Sequence, residues 1–207
     1  MIRIALFILA SLLPLAAAAQ ERLSDKALNQ LRVTADQIAA IEPGRVPDIL
    51  LRAIIAAEQR DHLSRAAANS RVTRQLASMH LGAMPSLRRE AAEDALAAFL
   101  GERMSPADIA RVYASVVYFG RNCYGYRNAV QGLARRTVDR ADETVWLALA
   151  ALPRSPSFYL RDRSALRARV SRIIADMRAA GLVDSAEAER LDSLPLADVD
   201  IGPGCSS

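Results

Sequence analysis

The sequence has almost no lysine, few aromatic residues and few histidines or cysteines. Lys26 is the only lysine among 27 basic residues, 5% of the chain is aromatic, and there are only two histidines. His62 and His80 are isolated from other ligand types, which argues against a metal cluster of the usual kinds. The sequence has no glycine-rich nucleotide loop and no nucleic-acid-binding motif, so neither nucleotides nor nucleic acids are expected partners.

The residues that the chain has in quantity favour one helical domain. It is 52% hydrophobic over 207 residues and rich in alanine, leucine and arginine, which are good helix formers. This length suits a single domain with a real core. The net charge of +4 suits phosphates and anionic lipid headgroups equally well. We therefore predict an all-α fold with a basic surface.

The first 19 residues indicate export. A positive start at Arg3 is followed by an apolar run over residues 4–16 and by three alanines before Gln20. This pattern is typical of a secretory signal peptide, and the run is short for a membrane span. The alternative is a short, uncleaved anchor. Either way, the sequence predicts a protein in the periplasm or on the periplasmic face of the inner membrane.

Export makes the two cysteines informative. Cys123 and Cys205 are able to form one disulfide in an oxidising compartment, and this bond would tie the C-terminal tail to the middle of the chain. The alternative is two unpaired thiols. The sequence gives no distance between them, so both readings stay open.

Capping residues and prolines mark the helices. Five serines predict helix starts, namely Ser70, Ser86, Ser105, Ser164 and Ser185. Pro153 predicts the end of a helix that begins around residue 145. The predicted organisation has four parts: a signal peptide or anchor at 1–19, a polar segment at 20–44, a helical domain at 45–191 and a disordered tail at 192–207.

Glu58 is the strongest candidate for a chemical role. Leu51, Ile55 and Glu58 are spaced four and three residues apart, so they share one face of a helix. A carboxylate on an apolar face is poorly solvated, which raises its pKa and makes it a useful proton acceptor near neutral pH. The alternative is a structural ion pair with Arg60 or Arg65.

Five short segments carry a resemblance to a known family. They are AAEQRDH at 56–62, NSRVTRQLA at 69–77, RREAAE at 88–93, VYFGRNCYG at 117–125 and LAALPRSPSFY at 149–159. In this order they resemble the peptidoglycan glycosyltransferase domain, glycosyltransferase family 51, which occurs alone or in penicillin-binding proteins. The resemblance implies a lysozyme-like helical fold that polymerises a lipid-linked disaccharide-peptide precursor into glycan strands.

The resemblance also implies roles for individual residues. Glu58 stands where the family has the general base that deprotonates the acceptor sugar, and Glu93 stands where the family has a second glutamate at the reaction centre. The two glutamates are therefore expected to line one cleft. The positions that match or replace substrate-binding residues are Ser70, Arg71, Thr73, Arg74, Gln75 and Arg89.

The chain departs from the family pattern at several positions. Gln59 replaces an aspartate, while Ser78 and Glu90 each replace a lysine. Only eleven residues separate Glu58 from Ser70, where the family has a longer mobile segment. These changes predict weak turnover.

Three functions are therefore compatible with the sequence. The first is the glycosyltransferase, the second is an inactive pseudoenzyme that binds or scaffolds the cell-wall synthesis machinery, and the third is a lysozyme-like muramidase. The implied partners are the lipid-linked precursor, glycan strands, the membrane surface and cell-wall synthesis proteins. A divalent metal is often implicated in the family, and the loss of the acid at Gln59 leaves that cofactor open.

Overall fold

The computed structural model describes residues 23–83 and 86–206. The predicted signal peptide or anchor at 1–19 lies outside these residues. Within them, no helix combines the length and the apolar character needed to cross a membrane.

The described chain is built from α-helices joined by short loops. The first five are α1 (Asp25–Ala39), α2 (Asp48–Glu58), α3 (Arg71–His80), α4 (Ser86–Arg103) and α5 (Pro106–Val116). The next five are α6 (Tyr126–Ala134), α7 (Glu143–Ala151), α8 (Pro156–Tyr159), α9 (Arg163–Ala179) and α10 (Ser185–Ser193). A small antiparallel hairpin, β1 (Tyr118–Gly120) and β2 (Cys123–Tyr124), lies between α5 and α6. The predicted fold class, an all-α lysozyme-like domain, is confirmed.

Side-chain caps account for most of the helix starts. A serine or aspartate oxygen accepts a hydrogen bond from a backbone amide in the first turn, which satisfies a donor that the helix itself leaves free. The capping residues are Ser24, Ser70, Ser105, Asp142, Asp162 and Asp184. Ser164 and Ser185 were predicted to start α9 and α10, but the caps are the aspartates one or two residues earlier.

Helices α2 and α7 form the centre of the core. Nearly every residue of α7 is buried, and a helix that is apolar all round belongs inside a domain. Helix α2 packs against both α7 and α9 and buries residues on most of its circumference. As a result, α2, which ends at Glu58, is fixed between α7 and α9.

The segment 20–44, which was predicted to be a polar extension, contributes to the domain. Helix α1 packs along α4, and Leu31, Ala35 and Ile38 are buried in the common core. Three apolar positions spaced four and three residues apart are enough to make one face of α1 part of this core. The domain therefore begins before residue 45.

The tail, predicted to be disordered over 192–207, is helical to Ser193 and then packs irregularly as far as Cys205. Val199 is buried, Leu196 packs against the core, and the amides at 202 and 204 donate to the carbonyls at 133 and 132. The structure joins Cys123 to Cys205 in a disulfide, with their Cα atoms 5.0 Å apart. The prediction of disorder is wrong for this part of the tail, because apolar contacts, backbone hydrogen bonds and a covalent bond hold it.

Candidate functional site

Glu58 is the last residue of α2 and lies largely out of contact with water. Burial is the main influence on its carboxyl group, and it raises the pKa of Glu58 above the usual range. Three guanidinium groups, from Arg169, Arg71 and Arg154, act in the opposite direction without cancelling the effect of burial. A carboxylate of this kind takes up a proton more readily than a solvated one.

The arginines near Glu58 are not those proposed from the sequence. Arg60 pairs with Asp176 at 3.7 Å, and Arg65 pairs with Asp61 four residues before it. Arg169 instead reaches across from α9, and its Nη2 donates to the carbonyl of Ala57 at 2.9 Å. This bond places a positive charge from a distant part of the sequence beside the end of α2.

Tyr113 is a second neighbour of Glu58 that sequence reasoning did not assign to the site. Its side chain is fully buried in α5, and its hydroxyl makes no hydrogen bond of ordinary geometry with the described residues. Burial and the nearby negative charge of Glu58 both raise the pKa of Tyr113. The sequence feature that could have identified Tyr113 is its position on the buried face of α5, because the hydroxyl of a buried tyrosine needs a polar neighbour.

A polar cleft of about 580 Å³ opens next to Glu58. Its lining residues come from the loop after α2, from α3 and from α4, and they are Gln59, Arg65, Asn69, Arg71, Arg74, Gln75, Ser78 and Glu93. Glu93 faces this cleft directly. Glu58 adjoins it through its neighbour Gln59 and through Arg71, whose charge acts on the Glu58 carboxyl.

The arginines of the cleft differ in whether an acidic side chain neutralises them. Arg74 forms ion pairs with Asp94 at 2.9 Å and with Glu93 at 3.6 Å. Arg65 is engaged by Asp61. Arg71 is exposed and forms no ion pair with any described residue, so it is the cation of the cleft most available to an anionic ligand.

Ser70 and Thr73 lie beneath the cleft surface and do not line it. Both are fully buried. Ser70 Oγ caps α3 by accepting from the amides of Val72 and Thr73, while Thr73 Oγ1 donates to the carbonyl of Ala67 at 2.6 Å. Both side chains therefore position α3 and its arginines instead of reaching a substrate.

The buried ring of His62 connects Ser70 to the start of α5. Its Nε2 lies 2.7 Å from the carbonyl oxygen of Pro106, which only accepts, so Nε2 carries the hydrogen. Its Nδ1 is consequently the acceptor for the Ser70 hydroxyl at 2.5 Å. Burial lowers the pKa of His62, which keeps this neutral form in place. The first and second sequence segments are thus joined by a buried hydrogen bond.

Arg89 and Glu90 also lie apart from the cleft lining. The Arg89 guanidinium donates to the carbonyls of Ser78 and Gly82 and to the Ser78 hydroxyl, so it binds the end of α3. Glu90 is exposed. Arg89 therefore lies outside the cleft lining and contacts it through Ser78, and its role in substrate binding stays a prediction.

Replacing Ser70 with alanine should destabilise the protein by about 1–3 kcal/mol, because α3 loses its cap and the buried Nδ1 of His62 loses its donor. Chemical denaturation measures the free energy of unfolding. Ser64→Ala is the matched control, since its hydroxyl bonds a carbonyl in an exposed turn. Equal losses in the two variants would contradict the role given to Ser70.

The site residues do not fit a resident divalent metal. The described chain has no group of three histidine, cysteine, aspartate or glutamate side chains able to hold one. Gln59 Oε1, at the position where an acid was lost, accepts a hydrogen bond from the amide of Arg71. The charged neighbours of Glu58 are guanidinium groups, which repel a cation. We therefore assign no step to a metal.

Comparison with known proteins identifies the family. Residues 23–178 match the transglycosylase family, and this range includes α1 through most of α9. The comparison with curated proteins gives no match. The family match covers Glu58 and every lining residue of the cleft, Glu93 included.

Proposed function

The chain belongs to the transglycosylase family, glycosyltransferase family 51, and on this basis we propose that it polymerises the lipid-linked disaccharide-peptide precursor of peptidoglycan. The observation that carries the proposal is the placement of Glu58. Its carboxyl group has a raised pKa and adjoins a cleft of about 580 Å³ that contains the cation Arg71. A proton acceptor beside an anion-binding group is what transfer from a diphosphate-linked donor requires.

In the proposed reaction, Glu58 takes the proton from the 4-hydroxyl of the acceptor sugar. The acceptor oxygen forms a bond to the anomeric carbon of the donor, and the bond from that carbon to the lipid diphosphate breaks with inversion. Negative charge grows on the departing diphosphate, and Arg71 stabilises it through charge-assisted hydrogen bonds. Glu93, which lines the cleft, orients Arg74 and supports the reaction centre.

Two exposed apolar side chains support contact with a lipid-linked substrate at a membrane. Leu63 lies in the loop four residues after Gln59, which lines the cleft, and Met79 directly follows the cleft residue Ser78. The exposed fractions of Leu63 and Met79 are 46% and 40%. Apolar side chains beside a cationic cleft suit an anionic lipid surface. We also propose that the protein acts in the periplasm or at the periplasmic face of the inner membrane, on glycan strands and with other cell-wall synthesis proteins, as the export signal predicted at 1–19 suggests.

The direct test is incubation of the purified chain with labelled lipid-linked precursor in detergent. Electrophoresis then resolves polymerised glycan from precursor. Labelled polymer that depends on the protein is the expected result. No precursor binding and no polymer at any protein concentration would refute the proposal.

A pseudoenzyme that only binds the precursor is the second candidate. The observation that favours it is the loss of free positive charge in the cleft, because Arg74 is engaged by two acids and Arg65 is engaged by Asp61. The same assay separates the two functions. Precursor binding without polymer supports the pseudoenzyme, whereas polymer supports the glycosyltransferase.

Restoring a lysine within the cleft should strengthen either function. Ser78→Lys puts a cation in the cleft lining, and one charge-assisted hydrogen bond contributes about 1.5–3 kcal/mol, or roughly a tenfold or larger gain in affinity for a diphosphate lipid. Glu90→Lys is the control, because it changes the net charge by more but lies outside the lining. Titration of both variants with the diphosphate lipid measures the effect, and an equal gain would show that overall charge, not the cleft, governs binding.

A further inference from the structure

A second groove lies beside the β1–β2 hairpin and shares no lining residue with the cleft near Glu58. Its volume is about 700 Å³, which falls in the range of roughly 300–1,000 Å³ that small-molecule sites occupy. The hairpin supplies Asn122 and Tyr124, helix α6 supplies Asn128 and Gln131, and the tail supplies the wall at 203–206.

The lining of this groove is neutral. None of its described residues is charged, although charged residues make up 24% of the chain. The side-chain amides of Asn122 and Gln131 make no hydrogen bond with any described residue, so their donors and acceptors are available to a ligand. An uncharged ligand that is rich in hydroxyl or amide groups fits these properties.

Tyr124 gives the groove an aromatic surface. Its exposed fraction is 59%, which is high for a tyrosine, and its ring packs against Tyr118 with the ring centroids 4.9 Å apart. The contact with Tyr118 fixes the orientation of the ring and leaves the rest of it open. An aromatic ring of fixed orientation offers apolar area at little entropic cost, and the C–H-rich face of a sugar ring packs well on such a surface.

The turn of the hairpin is fixed by the tail. Arg121 and Asn122 have φ angles of 45° and 61°, which a tight two-residue turn between antiparallel strands requires at both central positions. Arg121 Nη1 donates to the carbonyls of Asp200 and Gly202 at 2.8 and 2.7 Å, and its own carbonyl accepts from the amide of Cys205. The hairpin side and the tail side of the groove are therefore joined directly.

Gly132 makes the junction of α6 with the disulfide possible. A Cβ at this position would lie 2.4 Å from the sulfur of Cys205 and 2.6 Å from that of Cys123. The close approach of α6 to the disulfide therefore requires a glycine. The disulfide fixes the tail wall against α6, and the groove is formed before any ligand arrives.

We propose that this groove binds an uncharged stretch of saccharide, with the Tyr124 ring packed against a sugar face and with Asn122 and Gln131 hydrogen-bonded to its hydroxyl or acetamido groups. The inference goes beyond the proposed polymerisation, because it concerns a separate surface and a ligand without a diphosphate. It does not depend on Glu58.

The test uses tetra-N-acetylchitotetraose as the probe and the oxidised protein. Calorimetric titration measures affinity, and amide chemical shifts locate the contact. We expect shift changes at the hairpin, along α6 from Asn128 to Gly132 and in the tail. Tyr124→Ala and Gln131→Ala should each weaken binding at least tenfold in protein that still unfolds cooperatively, whereas Phe158→Ala, an exposed aromatic outside the groove, should leave the affinity as it is.

Reduction of the disulfide is a second test. It releases residues 203–206, which line the groove, and should weaken binding of the same probe. Shift changes confined to residues 71–78, or no binding at millimolar probe, would overturn the proposal. So would an equal loss in Phe158→Ala, or binding of an uncharged tetrapeptide in place of the saccharide. Each of these outcomes is obtained without the lipid precursor, so it is independent of the polymerisation assay.

Discussion

Glu58→Gln should lower the rate of glycan polymerisation by about 10²–10⁴-fold, the usual contribution of a general base. The variant keeps the size of the side chain and removes the group that accepts the proton. The initial rate with labelled lipid-linked precursor measures the effect. If polymerisation in Glu58→Gln is as fast as in the wild type, Glu58 is not the base.

A stability measurement on Glu58→Gln distinguishes a loss of activity from a loss of folding. Because the pKa of Glu58 is raised in the folded protein, the folded state holds this proton more tightly than the unfolded chain does. Wild-type stability therefore falls as the pH rises from the unfolded pKa through the folded one. Glutamine has no such proton, so the stability of Glu58→Gln relative to wild type should be greater at pH 7 than at pH 4.

Reducing the Cys123–Cys205 disulfide should lower the free energy of unfolding by about 2–5 kcal/mol. The bond joins residues 82 positions apart, so it removes much of the freedom of the unfolded chain. Denaturant unfolding with and without reductant measures the difference, and Cys205→Ser should reproduce it.

The chain provides its own control for this experiment. It has two cysteines, both of which belong to the bond, so reductant acts on no other thiol pair. Full alkylation of the native protein without reductant would show that the bond does not form. Unchanged stability after complete reduction would show that hydrogen bonds alone hold the tail.

The fold could be predicted from local signals because each helix carries its own. Ser70 and Ser105 cap the helices that they were predicted to cap, and α7 ends at Ala151, two residues before Pro153. Helix α1 was missed because only one narrow stripe of it is apolar. The packed tail was missed because its hydrogen bonds to α6 and its disulfide join residues that are far apart in the sequence.

The candidate site was predictable only in part. Family motifs indicated Glu58 and Glu93, and the burial of Glu58 follows from its place on an apolar helix face. The contacts of Arg169 with the end of α2 join residues 112 positions apart, and no local pattern encodes them. The engagement of Arg74 by Asp94 likewise depends on how α3 packs on α4. These distant contacts decide which charges in the cleft remain free.

The covalent loop from Cys123 to Cys205 has a consequence for proteolysis. Arg154 and Arg169 lie inside the loop, whereas Glu58 and Arg71 lie before it. A single cut within the loop, for example at the exposed turn around Gly181, leaves both fragments joined through the sulfurs. Nicked protein should therefore migrate as one chain on a non-reducing gel and as two on a reducing gel.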